Sequence, residues 1–524
     1  MSRQQSNDIL THRDVHGRIL CQRCHDVVAL PNGIRPFHTI EPRFLRSDYV
    51  PSDIEISQLT DVIRRVPAEI WEMNFSTLCL SLCEYSLDDD CEDYPLLGLP
   101  ATIISQVCSH WRIIAKGFPK LWSSINVNLS NPPYNVGLPL EVYFSNSGDY
   151  PLKLRIQSDG PILKSSWGLY LWESLSRHIH RSRELIMAMD ANRADIEFLP
   201  PVPRLTFPNL ESYREECPPP DELAWPWFWQ AIQKSTKLAV VSTFFVNRAI
   251  PFSQLTTWEI RCIHRFKDVD DFLDVARSCK ALQSLTLSGS RKLPGTGDNL
   301  PVVVREVNLP SLRNLSICTY QDHYWLPSIF GSLVMPSLET RSFRHCAWHL
   351  PSALVDMVRR SSISLKQIRL TLMEGWRANS SGDPLLLDML QAVPKLTSFE
   401  LTLGGVATTK IRHYTTFVEE MASALLSKFK DKSRDFLPQL EYFSLELPCV
   451  TLNMQLVERI LEVAAARQRA PHPFSEFRLV RITDGTELDE FVMGPELIER
   501  IRVLEESGVK VVVTCRPRFK FYNT

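Results

Sequence analysis

The chain contains no uncharged apolar run approaching the ~18 residues that a membrane-spanning helix needs. Its opening stretch, MSRQQSNDILTHRD, is polar and has no apolar core of the signal-peptide kind, so neither export nor a membrane anchor is expected. An excess of one charge is also missing. Lys and Arg number 58 against 60 Asp and Glu, for a formal net charge of −2. Nucleic acid and anionic membrane are therefore not expected partners, because both are recognised by surplus cations. The 13 cysteines have no pairing rhythm. That suits free thiols in a reducing compartment, cytoplasmic or nuclear, better than a disulfide framework. Catalytic signatures are lacking too: there is no G-x-x-x-x-G-K-[ST], no H-E-x-x-H and no G-x-S-x-G. The expectation is a protein that is not an enzyme and holds no cofactor.

What is present is ordinary in bulk, with 44% hydrophobic and 23% charged residues over 524 positions. That length implies several domains, or a repeat array that absorbs much of it. Residues 1–60 read as a tail, partly disordered. Within it Cys21-Gln-Arg-Cys24-His25 is the one metal-like motif. A structural zinc needs four ligands and no second C-x-x-C follows, so Cys21 and Cys24 are either unliganded or half of a site completed by histidines. No metal is expected.

Residues 61–126 read as a small helical unit. Ile104, Val107, Cys108, Trp111, Ile114 and Ala115 fall at steps of three and one, one face of a helix, and Gly117 and Pro119 stop it. Upstream, RRVPAEIWEMNFSTL gives a second helix with Pro67 at its first turn and Ile70, Trp71, Phe75 and Leu78 as its stripe. Asn74 lies on that stripe, where an unpartnered buried amide costs about 1–3 kcal/mol. The stretch from Cys79 onward, with its acidic run Asp88–Asp90, Glu92 and Asp93, reads as a loop: a solvated connection or an acidic recognition segment.

Three stretches, VPAEIWEMNF (66–75), SQVCSHWR (105–112) and FPKLW (118–122), resemble the F-box. The resemblance implies a unit that docks on the Skp adaptor and, through it, on the cullin of a ubiquitin ligase. It implies adaptor-binding roles for Val66, Pro67, Ile70, Phe75, Val107, Cys108, Trp111, Leu121 and Trp122, with Trp111 mainly core. Val66 stands where the family usually has leucine, and Asn74 where it has an aliphatic residue. Asn74→Ile is expected to tighten adaptor binding.

From about residue 205 the phrase L-x-x-L-x-L recurs, starting with FPNLESY and FSQLTTWEI and ending with LPQLEYFSL and FSEFRLVRI. Leu282, Leu312, Leu338, Leu365 and Leu396 open five of these phrases at steps of about 28 residues, within the leucine-rich-repeat range. Helix-like pieces such as VDDFLDVARSC and LPSALVDMVRR lie between. Residues 127–524 are thus expected to be α/β, a curved leucine-rich-repeat solenoid with a parallel sheet. The stretches LPLEVYFSNSGDYPLKLRI (138–156), LWESLSRHIHRSRELIMAMD (171–190) and IPFSQLTTWEI (250–260) resemble the F-box and leucine-rich-repeat proteins expanded in mushroom-forming fungi. That resemblance implies a substrate receptor of an SCF-type ligase, acting in ubiquitin-dependent degradation. The alternative is a repeat scaffold with a degenerate box.

Side chains alternate along a strand, so the residues between the leucines face outward. Ser342, Arg344, Gln367, Arg369, Glu400 and Glu446 belong to that outward set. Arg344 and Arg369 are expected side by side, with Glu400 and Glu446 beyond them. This is either a screened mixture of surface charge or a basic-then-acidic ribbon that orients a protein substrate. Arg341 stands where a leucine belongs. Trp225, Trp227 and Trp229 alternate in PPPDELAWPWFWQAI, as core at a helix start or as an aromatic groove.

Overall fold

The structure is a computed structural model. It describes residues 11–13, 19–21, 27–29, 65–84, 100–129, 137–158, 166–189, 200–217, 225–263, 266–289, 305–319, 325–345, 352–361, 365–372, 384–403, 411–430, 436–448, 454–468, 473–483 and 494–517. The acidic run at 88–93 and Cys24 lie outside them. Two compact units are formed, Met1–Asn126 with Pro133–Tyr150, and Val127–Pro132 with Pro151–Thr524.

In the first unit β1 (Thr11–Arg13), β2 (Ile19–Cys21) and β3 (Val27–Ala29) form an antiparallel meander. Helix α1 (Ala68–Glu84) runs further than the expected loop start at Cys79. It begins directly after Pro67, whose carbonyl accepts the N–H groups of Ile70 at 3.1 Å and Trp71 at 3.4 Å. The expected single helix over 104–115 is two: α2 (Pro100–Val107) and α3 (Ser109–Gly117). Cys108 separates them. Its backbone is extended, and its Sγ accepts the N–H of Trp111 at 3.4 Å. The thiol thereby caps one of the donors that a helix start leaves open, a role more often filled by Ser or Asp. Helix α3 stops at Gly117, and Pro119–Trp122 forms one tight turn. The segment α4 (Gly137–Ser147) completes the unit.

The second unit is α/β, built on one large sheet. Its strands are β4 (Ser124–Asn128, which straddles the division between units), β5 (Leu152–Ser158), β6 (Ser182–Met189), β7 (Ser212–Glu215), β8 (Val240–Thr243), β9 (Thr257–Ile263) and β10 (Ser284–Gly289). After β11 (Val307–Asn308) come β12 (Asn314–Thr319), β13 (Leu333–Val334), β14 (Thr340–His345), β15 (Gln367–Leu372), β16 (Ser398–Leu403), β17 (Tyr442–Pro448), β18 (Glu476–Thr483) and β19 (Lys510–Pro517). Fourteen of these form the sheet in strict chain order, while β11 and β13 pair with each other. From β5 to β19 every pairing in the sheet is parallel. Among the described residues the sheet has two free ends and does not close.

Parallel strands need a crossover between them, and helices supply most of these. They are α5 (Ser166–His178), α6 (Pro226–Gln233), α7 (Phe266–Ala276), α8 (Leu326–Ser332), α9 (Ser352–Arg360), α10 (Pro384–Gln391), α11 (Ile411–Lys430), α12 (Met454–Gln468) and α13 (Pro495–Glu506). All nine L-x-x-L-x-L phrases run into a strand of the sheet. The first leucine sits in the turn before the strand and the next two point inward, as Leu282, Leu285 and Leu287 do, all buried. Each such leucine contributes about 1.5–3 kcal/mol when fully buried. The strands β8 and β19 carry no such phrase and join the sheet through runs of valine. In the tryptophan-rich segment Phe228 and Trp229 are buried on α6, while Trp225 and Trp227 are half-buried. Trp227 packs edge-on against Trp172 and Phe228, which is core packing rather than an open groove.

Candidate functional site

The helical unit sorts its apolar residues onto two sides. The buried side of α1 is Phe75 and Cys79, four residues apart, with Trp71 half-buried. Trp111 of α3 enters this side, with its ring centroid 4.8 Å from that of Trp71 and 5.0 Å from that of Phe75. Trp122 is buried. Its Nε1 donates to the carbonyl of Ala115 at 2.7 Å and its ring meets Tyr143 edge-on at 5.1 Å. The Tyr143 hydroxyl in turn accepts the N–H of Ala101 at 3.1 Å. Burial of that phenol raises its pKa well above the ordinary value.

Three expected contact residues are therefore core. Phe75, Leu121 and Trp122 are all buried and offer no surface to a partner. Cys108 is half-buried and acts as the helix cap, and Trp111 is half-buried in the aromatic nucleus. Val66 is half-buried and Pro67 exposed. Ile70 at 43% and Val107 at 57% exposure do stand on the surface. With them on the surface are Met73, Leu78, Ile103 and Ile113, the last at 72% exposure. These residues come from three successive helices. Leu78 was legible as part of the α1 stripe, whereas Met73, Ile103 and Ile113 fell outside any pattern. The stripe through Ile70, Asn74 and Leu78 faces solvent rather than the core, so Asn74 is exposed and bears no desolvation cost within the chain.

From β10 to β17 the outward positions of the sheet are mostly polar. In register, Arg369 lies between Ser342 and Glu400, whereas Arg344 lies between Cys318 and Thr371. The two arginines are thus offset by two positions along their strands instead of side by side. Arg369 is also engaged: its Nε and Nη2 donate to the two oxygens of Glu400 at 2.6 and 3.0 Å. Gln367 Nε2 donates to the same carboxylate at 3.1 Å. These bonds raise the Arg369 pKa further above its ordinary value. Thr402 Oγ1 donates to Glu446 at 3.1 Å. Beyond them, Glu476 accepts from Arg478 at 2.7 Å and from Lys510 at 3.1 Å, which lowers its pKa. Of the two readings, a screened mixture of surface charge and a basic-then-acidic ribbon, these alternating, mutually bonded charges fit the mixture. A fork already filled by a carboxylate is not poised to grip a phosphate.

Two buried ionisable groups were not anticipated as sites. Glu215 at the end of β7 accepts from the Tyr213 hydroxyl at 3.1 Å and the Phe244 N–H at 3.0 Å. Burial pushes its pKa up to about 7, against the opposing pull of these donors and Arg261. Arg341 is fully buried, and burial pulls its guanidinium down to about 9. Among the described residues no group of three or more His, Cys, Asp or Glu is arranged to hold a metal ion. Cys21 lies in β2, and Cys24 falls outside the described residues. No helix of the described residues is long and apolar enough to cross a membrane. Compared with known proteins, the chain matches no protein-family model and no curated sequence.

Proposed function

We propose that the chain is the substrate receptor of an SCF-type ubiquitin ligase. Its helical unit docks as an F-box on the Skp adaptor, and thereby on a cullin, while the second unit captures a protein substrate. One observation carries the reading: the helical unit seals an aromatic nucleus yet leaves Ile70, Met73, Leu78, Ile103, Val107 and Ile113 on its surface. Exposed apolar residues concentrated on so small a unit suit a surface that a partner completes. Strand order that follows the chain supports reading the second unit as a curved leucine-rich-repeat solenoid, since each unit then packs only on its neighbours. In this role the chain performs no bond chemistry. It raises the local concentration of substrate lysines near a charged ubiquitin carrier, inside the cell.

The test is a titration of the intact chain with purified Skp adaptor. Binding is expected for the wild type and should fall at least tenfold in Ile70→Asp with Val107→Asp, at unchanged thermal stability. Absence of wild-type binding refutes the ligase reading. Asn74, an amide on the same exposed face, is the observation that favours the second reading, a repeat scaffold with a degenerate box. That scaffold reading holds if only Asn74→Ile binds the adaptor.

A further inference from the structure

Arg341 breaks the inward ladder of the sheet. The equivalent position is Leu285 on β10, Leu315 on β12, Ile368 on β15, Phe399 on β16, Phe443 on β17 and Phe477 on β18, all buried. Arg341 sits directly between Leu315 and Ile368 with 0% of its surface exposed. Among the described residues, none of its three guanidinium nitrogens has a hydrogen-bond partner. What it meets is aromatic: the rings of Phe330 and Phe343, with centroids 5.4 and 5.7 Å from the guanidinium carbon.

The second buried arginine shows what is missing. Arg467 also lies over two rings, Phe429 and Phe474, but its Nη2 donates to the carbonyls of Pro438 at 2.9 Å and Leu440 at 3.4 Å. A buried charge without such partners is strongly unfavourable, and ring faces offset only part of that. The backbone of β14 is regular, with six paired residues on each side, so the defect is confined to the side chain. Among the described residues each strand of the large sheet pairs only with its two neighbours in the sheet, so the defect is borne locally.

We propose that β14 is the opening point of the sheet: it leaves the ladder by local unfolding, letting the Arg341 guanidinium reach water, while β10 stays paired with β9 and β16 with β17. Regions of low local stability are where proteins open first.

Hydrogen exchange on the intact chain, read by mass spectrometry, tests the opening without any partner. The amides of Thr340–His345 are expected to be about 100-fold less protected than those of Ser398–Leu403. Arg341→Leu and Arg341→Met, which restore an apolar ladder, should each raise protection of β14 at least about tenfold. Arg467→Met, which removes a partnered arginine, should leave β14 unchanged and lower protection near Leu440. Equal protection of β14 and β16 in the wild type, or no gain at β14 in both Arg341 variants, overturns the proposal.

Discussion

The two units treat their outward surfaces in opposite ways. The sheet turns polar residues outward and bonds them to one another, as in Arg369–Glu400 and Arg478–Glu476–Lys510, and its inward leucines are sealed. The helical unit seals Phe75, Leu121 and Trp122 but leaves large aliphatic side chains of α1, α2 and α3 exposed. An isolated exposed leucine is unremarkable in any protein, so the concentration is what separates the two. The polar face bonds its charges to one another, while the apolar one gains free energy when something covers it.

The largest effect that would sharpen this contrast is at Trp122. Trp122→Ala removes a buried ring and the bond to Ala115, and should cost about 3–5 kcal/mol. Thermal unfolding followed by circular dichroism measures it. A loss below about 1 kcal/mol would mean that the helical unit has no real core to set against its surface.

Next comes Glu215. Its folded pKa of about 7 lies above the usual carboxylate value, so the folded state holds a proton that the unfolded chain releases. Stability should therefore fall as pH rises from about 4.5 through 7, by on the order of 3 kcal/mol, and level off above. Glu215→Gln should flatten that decline in denaturant titrations at pH 5 and pH 8. An unchanged slope would assign the pH dependence to other groups.

Smaller effects probe the surfaces themselves. Arg369→Ala should cost at most about 1 kcal/mol, because half of the arginine side chain is solvent-exposed and the pair is screened. The exposed aliphatic residues should matter less still. Ile103→Asp in the free chain is expected to shift stability by no more than about 0.5 kcal/mol. A loss above about 2 kcal/mol would show that this surface belongs to the fold itself, and the contrast between the units would collapse.

Much of the architecture was legible from residue type and spacing. The leucine phrases located nine strands of the sheet, and VDDFLDVARSC and LPSALVDMVRR between them located α7 and α9. Gly117 and Pro119 marked the end of α3. The helical unit was harder to read, because period alone does not say which face of a helix is covered. Ile70, Asn74 and Leu78 share a stripe as regular as Trp71, Phe75 and Cys79, and only the second turns toward the core. The break at Cys108 was hidden for a related reason: 104–115 keeps a helical period across it, and the thiol cap depends on backbone geometry.

Sequence by itself determined which residues alternate across the strands, because that period is built into an extended backbone. It also marked Arg341 as an exception. What tertiary structure alone decided was register and partnership. Whether Arg344 stands beside Arg369, or whether Arg369 spends its fork on Glu400, depends on how neighbouring strands slide past each other and where two side chains end up within bonding distance. The same holds for the two buried arginines. Their contrast comes from carbonyls that one can reach and the other cannot, contacts between residues far apart in the chain that no local pattern records.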